Sequence, residues 1–225
     1  MTTLFVAATP IGNLSDASER LKTTLAAADL VFAEDTRVAK KLFSVWGITG
    51  RRFVSVQAHS TEKELEGAKR ALAGADVAVL LTDAGTPGIS DPGAYFIDRV
   101  YRDLPEVRVV PIPGPSAVVA ALSVSGFFSD RFLFLGFPPH QKGRNAFFAT
   151  VAASEETVVF FESVHRIEKT LAALAAAVPA NRRLCVCREL TKLHESVTRG
   201  TVAEVVPRVL AQPRKGEYVL VLEKP

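Results

Sequence analysis

The chain has 225 residues, of which 48% are hydrophobic and 23% are charged, a composition that supplies a full core and excludes an intrinsically disordered chain. Its two cysteines exclude a disulfide scaffold, and no apolar run reaches the ~20 residues of a membrane span. The net charge of +3 permits an acidic partner such as RNA without requiring one, and the N-terminus lacks the pattern of a signal peptide, so a cytoplasmic protein is expected.

Strand and helix patterns alternate through the first half of the sequence. Short apolar runs bounded by turn residues predict strands, and apolar residues at helical spacing predict helices. The strands are predicted at residues 4–8, 30–33, 53–57, 77–82 and 107–112, and the helices at residues 36–43, 62–73 and 94–101. Another helix is predicted before residue 30, with Asp16 as its N-cap in a capping box with Glu19. This alternation predicts a mainly parallel α/β sheet.

The second half has a different pattern. Strands are predicted at residues 131–136, 157–162, 184–189 and 217–223, and helices at residues 117–125, 164–177 and 201–211. Because strands outnumber helices here, this half is predicted to be an α+β domain with a mixed sheet. A proline-rich segment at 111–115 separates the halves. The domains are therefore predicted as residues 1–113 and 114–225, with a ligand cleft between them.

The two cysteines, Cys185 and Cys187, are separated by one residue on a predicted strand, so both face the same side of it. This is not the Cys-x-x-Cys spacing of redox or zinc sites, and it indicates buried structural thiols. The four histidines are scattered along the chain, so the sequence predicts no metal site.

Three loops at predicted strand ends are rich in Gly, Pro, Ser, Thr and Asp. They span residues 8–14, 82–93 and 111–117, and in open α/β sheets ligands bind at the carboxyl ends of strands. The first loop lacks both the G-x-G-x-x-G and the Walker patterns, and a tight turn is its alternative interpretation. In the second, Gly85 permits close approach to a ligand and Asp83 can accept hydrogen bonds from ribose or amino groups; its alternative is a turn capped by aspartates. The third presents free N–H groups before a helix, or serves as a rigid hinge.

Charged clusters follow three other strands, at residues 34–37, 162–166 and 188–195. Each offers carboxylates and cations for chemistry, and for the cluster at residues 188–195 a solvated loop is the alternative interpretation. His165 by itself is more often a structural histidine than a catalytic one.

Eight motifs occur in a fixed order along residues 4–223. They are ATPIGNL at 8–14, AEDTR at 33–37, TDAGTP at 82–87 with SDPG at 90–93, PGPSA at 113–117, GF at 136–137 with KGR at 142–144, FES at 161–163 with HR at 165–166, RELTK at 188–192, and KGE at 215–217. Together they resemble the ribosomal RNA small subunit methyltransferase I family. Its members are 16S rRNA (cytidine-2′-O)-methyltransferases of the tetrapyrrole methylase, or class III, superfamily. The chain departs from many members at Val38 and Ala39, where they carry His or Thr.

The resemblance implies a two-domain class III fold and a homodimer that uses S-adenosylmethionine to methylate a cytidine ribose in the decoding region of 16S rRNA in the 30S subunit. It also implies that the cofactor lies in the cleft between the domains. The residues expected to line the cofactor are Thr9, Pro10, Asp83, Gly85, Thr86, Ser116, Ala117 and Phe161.

A ribose hydroxyl is a poor nucleophile, so a general base is expected to assist the transfer. Asp35, Glu162 and His165 are candidates because they follow strands at the expected cleft. The candidates for phosphate contacts are Arg37, Lys142, Arg144 and Lys192. Two other functions remain open: a tetrapyrrole C-methyltransferase, whose first loop usually reads Gly-x-Gly-x-Gly-Asp, and a non-catalytic module that binds cofactor and RNA.

Overall fold

The structure is a computed structural model that describes residues 1–57, 59–213 and 215–225. The chain divides into two compact units, Met1–Ser116 and Ala117–Pro225. Each unit contains one five-stranded sheet and its own helices.

The first unit is built on a parallel sheet with the strand order β3-β2-β4-β1-β5. Its strands are β1 (Thr3–Ala7), β2 (Leu30–Ala33), β3 (Arg52–Ser55), β4 (Val77–Leu81) and β5 (Arg108–Ile112). Its helices are α1 (Glu19–Ala27), α2 (Thr36–Val45), α3 (Glu62–Ala73) and α4 (Gly93–Asp103). The predicted parallel α/β sheet is confirmed.

Helices cover both faces of this sheet, which explains why its central strands are apolar along their whole length. All four residues of β2 are buried, as are four of the five residues of β4. On one face Phe32 packs against Phe96 of α4, with ring centroids 4.7 Å apart. On the other face Val31 and Val79 pack with residues of α1 and α2.

The start of α1 differs from the prediction. Ser18, not Asp16, is the N-cap, because the Ser18 hydroxyl accepts a hydrogen bond from the Leu21 N–H at 3.0 Å. Asp16 instead ends a short 3₁₀ turn at Leu14–Asp16. Both residues are common at helix starts, and only the path of the backbone decides which hydroxyl or carboxylate reaches a free N–H.

The second unit contains a mixed sheet with the order β6-β7-β10-β8-β9, in which β6 and β7 are parallel and the remaining pairs are antiparallel. Its strands are β6 (Phe132–Phe134), β7 (Thr157–Ser163), β8 (Arg183–Arg188), β9 (Ser196–Thr201) and β10 (Glu217–Leu222). Its helices are α5 (Ala117–Ser125), α6 (Arg144–Ala153), α7 (Ile167–Ala177) and α8 (Val202–Leu210). The predicted α+β domain with a mixed sheet is confirmed.

Two elements of this unit are not predicted from the sequence. The strand β9 has the sequence SVTRGT and lies at the sheet edge, where it pairs with β8. An edge strand with few buried residues lacks the apolar run that identifies a strand. The helix α6 buries only Phe148 and Val151, which is too sparse a pattern for a periodic signal.

Cys185 and Cys187 are buried free thiols on β8, as predicted, with their sulfur atoms 3.8 Å apart. Within the described ranges, no helix combines the length and the apolar character needed to cross a membrane.

Candidate functional site

The three polar loops of the first unit meet at the carboxyl edge of its sheet. Thr9 and Gly85 exchange both main-chain hydrogen bonds, at 2.9 and 3.1 Å, which joins the first loop to the second. The Thr86 hydroxyl donates to the Pro115 carbonyl at 3.0 Å, which joins the second loop to the third. The parallel order of β4, β1 and β5 places these loops side by side.

Two glycines allow the loops to approach so closely. Gly85 has a φ of +86°, and a Cβ there would lie 3.3 Å from the Ile11 side chain. A Cβ at Gly114 would lie 3.1 Å from the Cβ of Ala8 and 3.3 Å from its carbonyl oxygen. A side chain at either position would therefore push the loops apart.

The second loop is further closed by Asp91. Its carboxylate accepts hydrogen bonds from the N–H groups of Gly88 and Gly93, at 2.8 and 2.7 Å. Ser90 adopts a left-handed conformation with a φ of 62°, so this segment has a specific strained shape rather than that of a flexible connection.

Carboxylates from β2 and β4 gather next to these loops. Asp83 accepts a hydrogen bond from the Asp35 N–H at 3.2 Å, and Glu34 lies 3.4 Å from the Thr82 hydroxyl. Burial raises the pKa of Glu34, and the nearby charges of Asp83 and Asp91 raise it further. Glu34 belongs to the AEDTR motif, but the sequence does not identify it as a candidate base, because its neighbours in space are remote in the chain.

Asp35 has different hydrogen-bond partners from Glu34, although the two residues are adjacent in the sequence. It caps α2 by accepting a hydrogen bond from the Arg37 N–H at 2.8 Å, and its carboxylate also pairs with the Arg37 guanidinium at 2.6 Å. The side-chain hydrogen bond from Arg37 is the main reason that the pKa of Asp35 falls to about 2. Such a carboxylate holds protons weakly at neutral pH, whereas an efficient general base has a pKa near the working pH.

A pocket of about 260 Å³ opens beside the first loop and α2. Its walls include the apolar side chains of Leu14, Val38, Leu42 and Val45. Thr9 also lines it; this residue is only 2% exposed, and its hydroxyl has no hydrogen-bond partner among the residues that the structure describes. A buried hydroxyl without a partner is costly, which makes this atom a candidate for ligand binding.

In the second unit, Glu162 lies at the end of β7 inside a buried hydrogen-bond network. Its carboxylate accepts from the Thr170 hydroxyl at 2.5 Å, from the Ser163 N–H at 2.7 Å and from the Arg166 guanidinium at 2.9 Å. Thr170 in turn accepts from Arg144 at 2.7 Å. With three donors on its oxygens, Glu162 is better suited to holding structure than to accepting a proton. Glu162 and Arg166 both belong to the charged cluster at residues 162–166 of the sequence.

The same network fixes the loop before α6. Arg166 donates to the Pro138 carbonyl at 2.8 Å, and Arg144 donates to the Pro139 carbonyl at 3.3 Å and stacks over Phe148 at 5.1 Å. The predicted phosphate contact Arg144 thus already has partners within the protein. Lys142, on the loop itself, is exposed.

The remaining predicted site residues of the second unit fall into two groups. Phe161 belongs to an aromatic cluster, with its ring centroid 5.0 Å from that of Phe134 and 5.4 Å from that of Phe137, and His165 is exposed in the turn after β7. Lys192 lies between β8 and β9, where its ammonium pairs with Glu189 at 2.9 Å and Glu217 at 2.7 Å.

The first unit therefore brings together five predicted residues and Asp35 at one sheet edge, and the second unit connects Glu162 with Arg144. The residues at the sheet edge are Thr9, Pro10, Asp83, Gly85 and Thr86. Ser116 is the last residue of the first unit, and Ala117 begins α5. Among the described residues, no group of three or more His, Cys, Asp or Glu side chains could hold a metal ion.

This sequence matches the family of Tetrapyrrole (Corrin/Porphyrin) Methylases over residues 3–206. Because the match covers most of the chain, the protein belongs to this family of methyltransferases. Two solved structures with the same fold are a uroporphyrin-III-C-methyltransferase from Thermus thermophilus and a cobalt precorrin-4 methyltransferase. The first has a TM-score of 0.65 and a sequence identity of 17%, and the match covers 100% of this chain and 95% of that one. The second has a TM-score of 0.67 and a sequence identity of 18%, and the match covers 98% of this chain and 94% of that one. At these identities the likeness shows the fold alone, and it confirms the predicted class III architecture.

More similar relatives define the family within this group. The chain is 44% identical to the ribosomal RNA small subunit methyltransferase I of Neisseria meningitidis serogroup A, over 98% of this chain and 75% of that protein. It is 40% identical to the Haemophilus influenzae protein of the same name, over 98% of this chain and 78% of that protein. It is 39% identical to the Escherichia coli O157:H7 protein of that name, over 98% of this chain and 77% of that protein. The chain thus belongs to the ribosomal RNA small subunit methyltransferase I family, and the predicted resemblance is confirmed.

Proposed function

We propose that this protein transfers a methyl group from S-adenosylmethionine to the ribose 2′-hydroxyl of a cytidine in the decoding region of 16S rRNA. The observation that supports this most is the junction of three loops at the sheet edge, where Thr9 bonds Gly85 and Thr86 bonds Pro115. The names of the relatives add the ribosomal RNA substrate.

The residues at this junction fit the cofactor. Gly85 and Gly114 leave close backbone approaches that a side chain would fill. We infer that Thr9, Pro10, Asp83, Gly85, Thr86 and Ser116 hold the cofactor, together with Ala117 and Phe161 of the second unit. When bound, the cofactor supplies an activated methyl group on its sulfonium.

The protein's own contribution to the chemistry is to orient the ribose and to accept its proton. Positioning the hydroxyl in line with the transferred carbon contributes several kcal/mol in such reactions. For the proton we favour Glu34, because it is half-buried beside Asp83 and Asp91 with a raised pKa. The predicted bases Asp35 and Glu162 carry strong donors on their oxygens, and His165 remains an exposed alternative.

We propose that the accessible cations bind the phosphates of the RNA. The Arg37 side chain is 86% exposed and Lys142 is exposed on its loop, so both can approach RNA. Arg144 and Lys192 hold protein groups instead, and we assign them a supporting role for the loops that carry them.

Methyl transfer to purified 30S subunits that lack the modification tests the proposal. Labelled methyl from S-adenosylmethionine is expected on a 2′-O-methylcytidine after nuclease mapping. A Gly85→Val variant, which fills the close approach between the loops, is the inactive control. Cofactor binding without label in any RNA would favour a non-catalytic module, and label on a tetrapyrrole instead would favour the C-methyltransferase alternative.

We also propose that the protein acts in the cytoplasm on the 30S subunit and works as a homodimer. The dimer is testable by light scattering across a concentration series; a mass of one chain at all concentrations would contradict it.

A further inference from the structure

The pocket beside α2 has features that the proposed cofactor site does not explain. Of the residues assigned to the cofactor, it includes Thr9, Pro10 and Asp83, but Gly85, Thr86 and Ser116 do not line it. Its volume of about 260 Å³ is below the roughly 300–1,000 Å³ typical of sites for drug-sized ligands, so it suits a part of a molecule the size of a single ring system.

The walls of the pocket are apolar and open to solvent. Val38, Leu42 and Val45 recur at i, i+4 and i+7 on one face of α2, and Leu14 lies on the first loop. Val38, Val45 and Leu14 are 37%, 57% and 44% exposed. Single exposed apolar residues are ordinary, but three around one pocket mark a binding surface.

The pocket is also lined by polar and charged groups. The buried Thr9 hydroxyl is available for one hydrogen bond, and Lys41 lines the pocket. Arg37 and Lys40 are exposed on the same helix. Asp83 also lines the pocket. Apolar walls with a few polar groups and one cation, Lys41, among the lining residues match an aromatic ring that is attached to phosphates.

We propose that this pocket binds one unstacked nucleobase of the substrate RNA, with the ribose of that nucleotide directed toward the cofactor residues Pro10 and Asp83 that share the pocket wall. The inference rests on the proposed function, since it assumes that RNA is the methyl acceptor. A ribose within stacked RNA is hard to reach, and enzymes that modify nucleotides commonly remove the target from the stack into a pocket.

The test compares RNA fragments that carry either the intact target nucleotide or an abasic one that keeps its ribose hydroxyl. The target is first mapped with the wild-type protein and 30S subunits, and fragment affinity is then measured by fluorescence anisotropy with S-adenosylhomocysteine present. The wild type is expected to bind the intact fragment about tenfold more tightly, the effect of one base contact.

Val38→Trp and Val45→Trp fill the pocket from two exposed helix positions. Both are expected to bind intact and abasic fragments equally and to retain the wild-type affinity for S-adenosylhomocysteine by calorimetry. Ser44→Trp, on an exposed part of the same helix that does not line the pocket, is expected to keep the preference for the intact base.

Each contrary outcome has a separate meaning. Equal binding of both fragments by the wild type, or a preference that survives both tryptophans, would overturn the base pocket and leave the proposed function intact. Weaker S-adenosylhomocysteine binding in the tryptophan variants would assign the pocket to the cofactor. If the wild type transfers no methyl group to RNA, the proposed function fails and this inference fails with it.

Discussion

At the scale of single residues, two adjacent carboxylates have pKa values that their neighbours shift in opposite directions. Glu34 and Asp35 are consecutive, yet burial and the charges of Asp83 and Asp91 raise the pKa of the first, whereas Arg37 lowers the pKa of the second to about 2. Two carboxylates with pKa values moved in opposite directions are suited to different tasks, one to proton transfer and the other to fixing a helix start.

Asp83 is expected to matter most for cofactor affinity. Asp83→Ala removes an acceptor that also holds the Asp35 N–H, and we expect S-adenosylmethionine binding to weaken about 10–100-fold. Isothermal titration calorimetry measures this directly. Asp83→Asn keeps an oxygen acceptor and should lose less; unchanged affinity in the alanine variant would remove Asp83 from the site.

Glu34 should control the pH dependence of turnover. A base acts when deprotonated, so the wild-type rate should rise with pH through a pKa above the ordinary value of 4.5, and Glu34→Gln should be slow at every pH. The Thr82 hydrogen bond lowers the pKa of Glu34, so Thr82→Val should move the rising limb to higher pH. Single-turnover rates measured across a pH series for the wild type, Glu34→Gln and Thr82→Val test whether Glu34 is the base. An active Glu34→Gln enzyme with a wild-type profile would return the role to Asp35, Glu162 or His165.

At the scale of elements, the network around Glu162 connects β7, α7 and α6. Thr170 is the shared member, since it donates to Glu162 and accepts from Arg144 while fully buried. The arginines extend the network to the Pro138 and Pro139 carbonyls, so the position of the loop that carries Lys142 depends on a carboxylate buried beneath it.

Thr170→Val should therefore destabilise the protein by about 1–3 kcal/mol, because it removes one hydrogen bond from each of two charged groups in a buried network while keeping the side-chain shape. Denaturant unfolding measures the change. Thr150→Val is the matched control: this exposed threonine of α6 bonds only the Ala146 carbonyl in the preceding turn, and its loss should cost no more than about 0.5 kcal/mol. Equal stability of the Thr170 variant and the wild type would contradict the network's role.

Across the whole molecule, the net charge of +3 is too small for RNA affinity to come from overall charge. Affinity must depend on a few accessible cations, and the structure separates these from the cations whose side chains are mostly shielded by the protein. Arg37 and Lys142 belong to the first group, and Arg144 and Lys192 to the second.

Salt dependence distinguishes the two groups. Each phosphate contact to single-stranded RNA adds about 0.7 to the slope of log affinity against log salt concentration. Arg37→Ala and Lys142→Ala should each reduce the slope by about this amount, whereas Lys22→Ala, which removes a pair with Glu19, should leave it unchanged. Anisotropy titrations over a salt series measure the slopes. A reduced slope in the Lys22 variant, or an unchanged slope in the Arg37 and Lys142 variants, would refute the assignment.

The sequence by itself determined the order of most elements, the class of each half and the three loops at the strand ends. These follow from local rules: the buried strands β2 and β4 are apolar throughout, and turn residues gather where the chain leaves the sheet. Even so, local rules failed where two residues competed for one task, as Asp16 and Ser18 did at α1, and where the edge strand β9 carried no apolar run.

Only the tertiary structure decided the environments within the site. The sheet order brings β2 beside β4, and so sets Glu34 among Asp83 and Asp91; it also brings β1 beside β4, and so joins Thr9 to Gly85. The pocket beside α2 and the three donors around Glu162 arise in the same way. Strand order and side-chain packing are set by contacts between distant parts of the chain, so burial, charge and hydrogen bonding at a given residue cannot be deduced from its sequence neighbours.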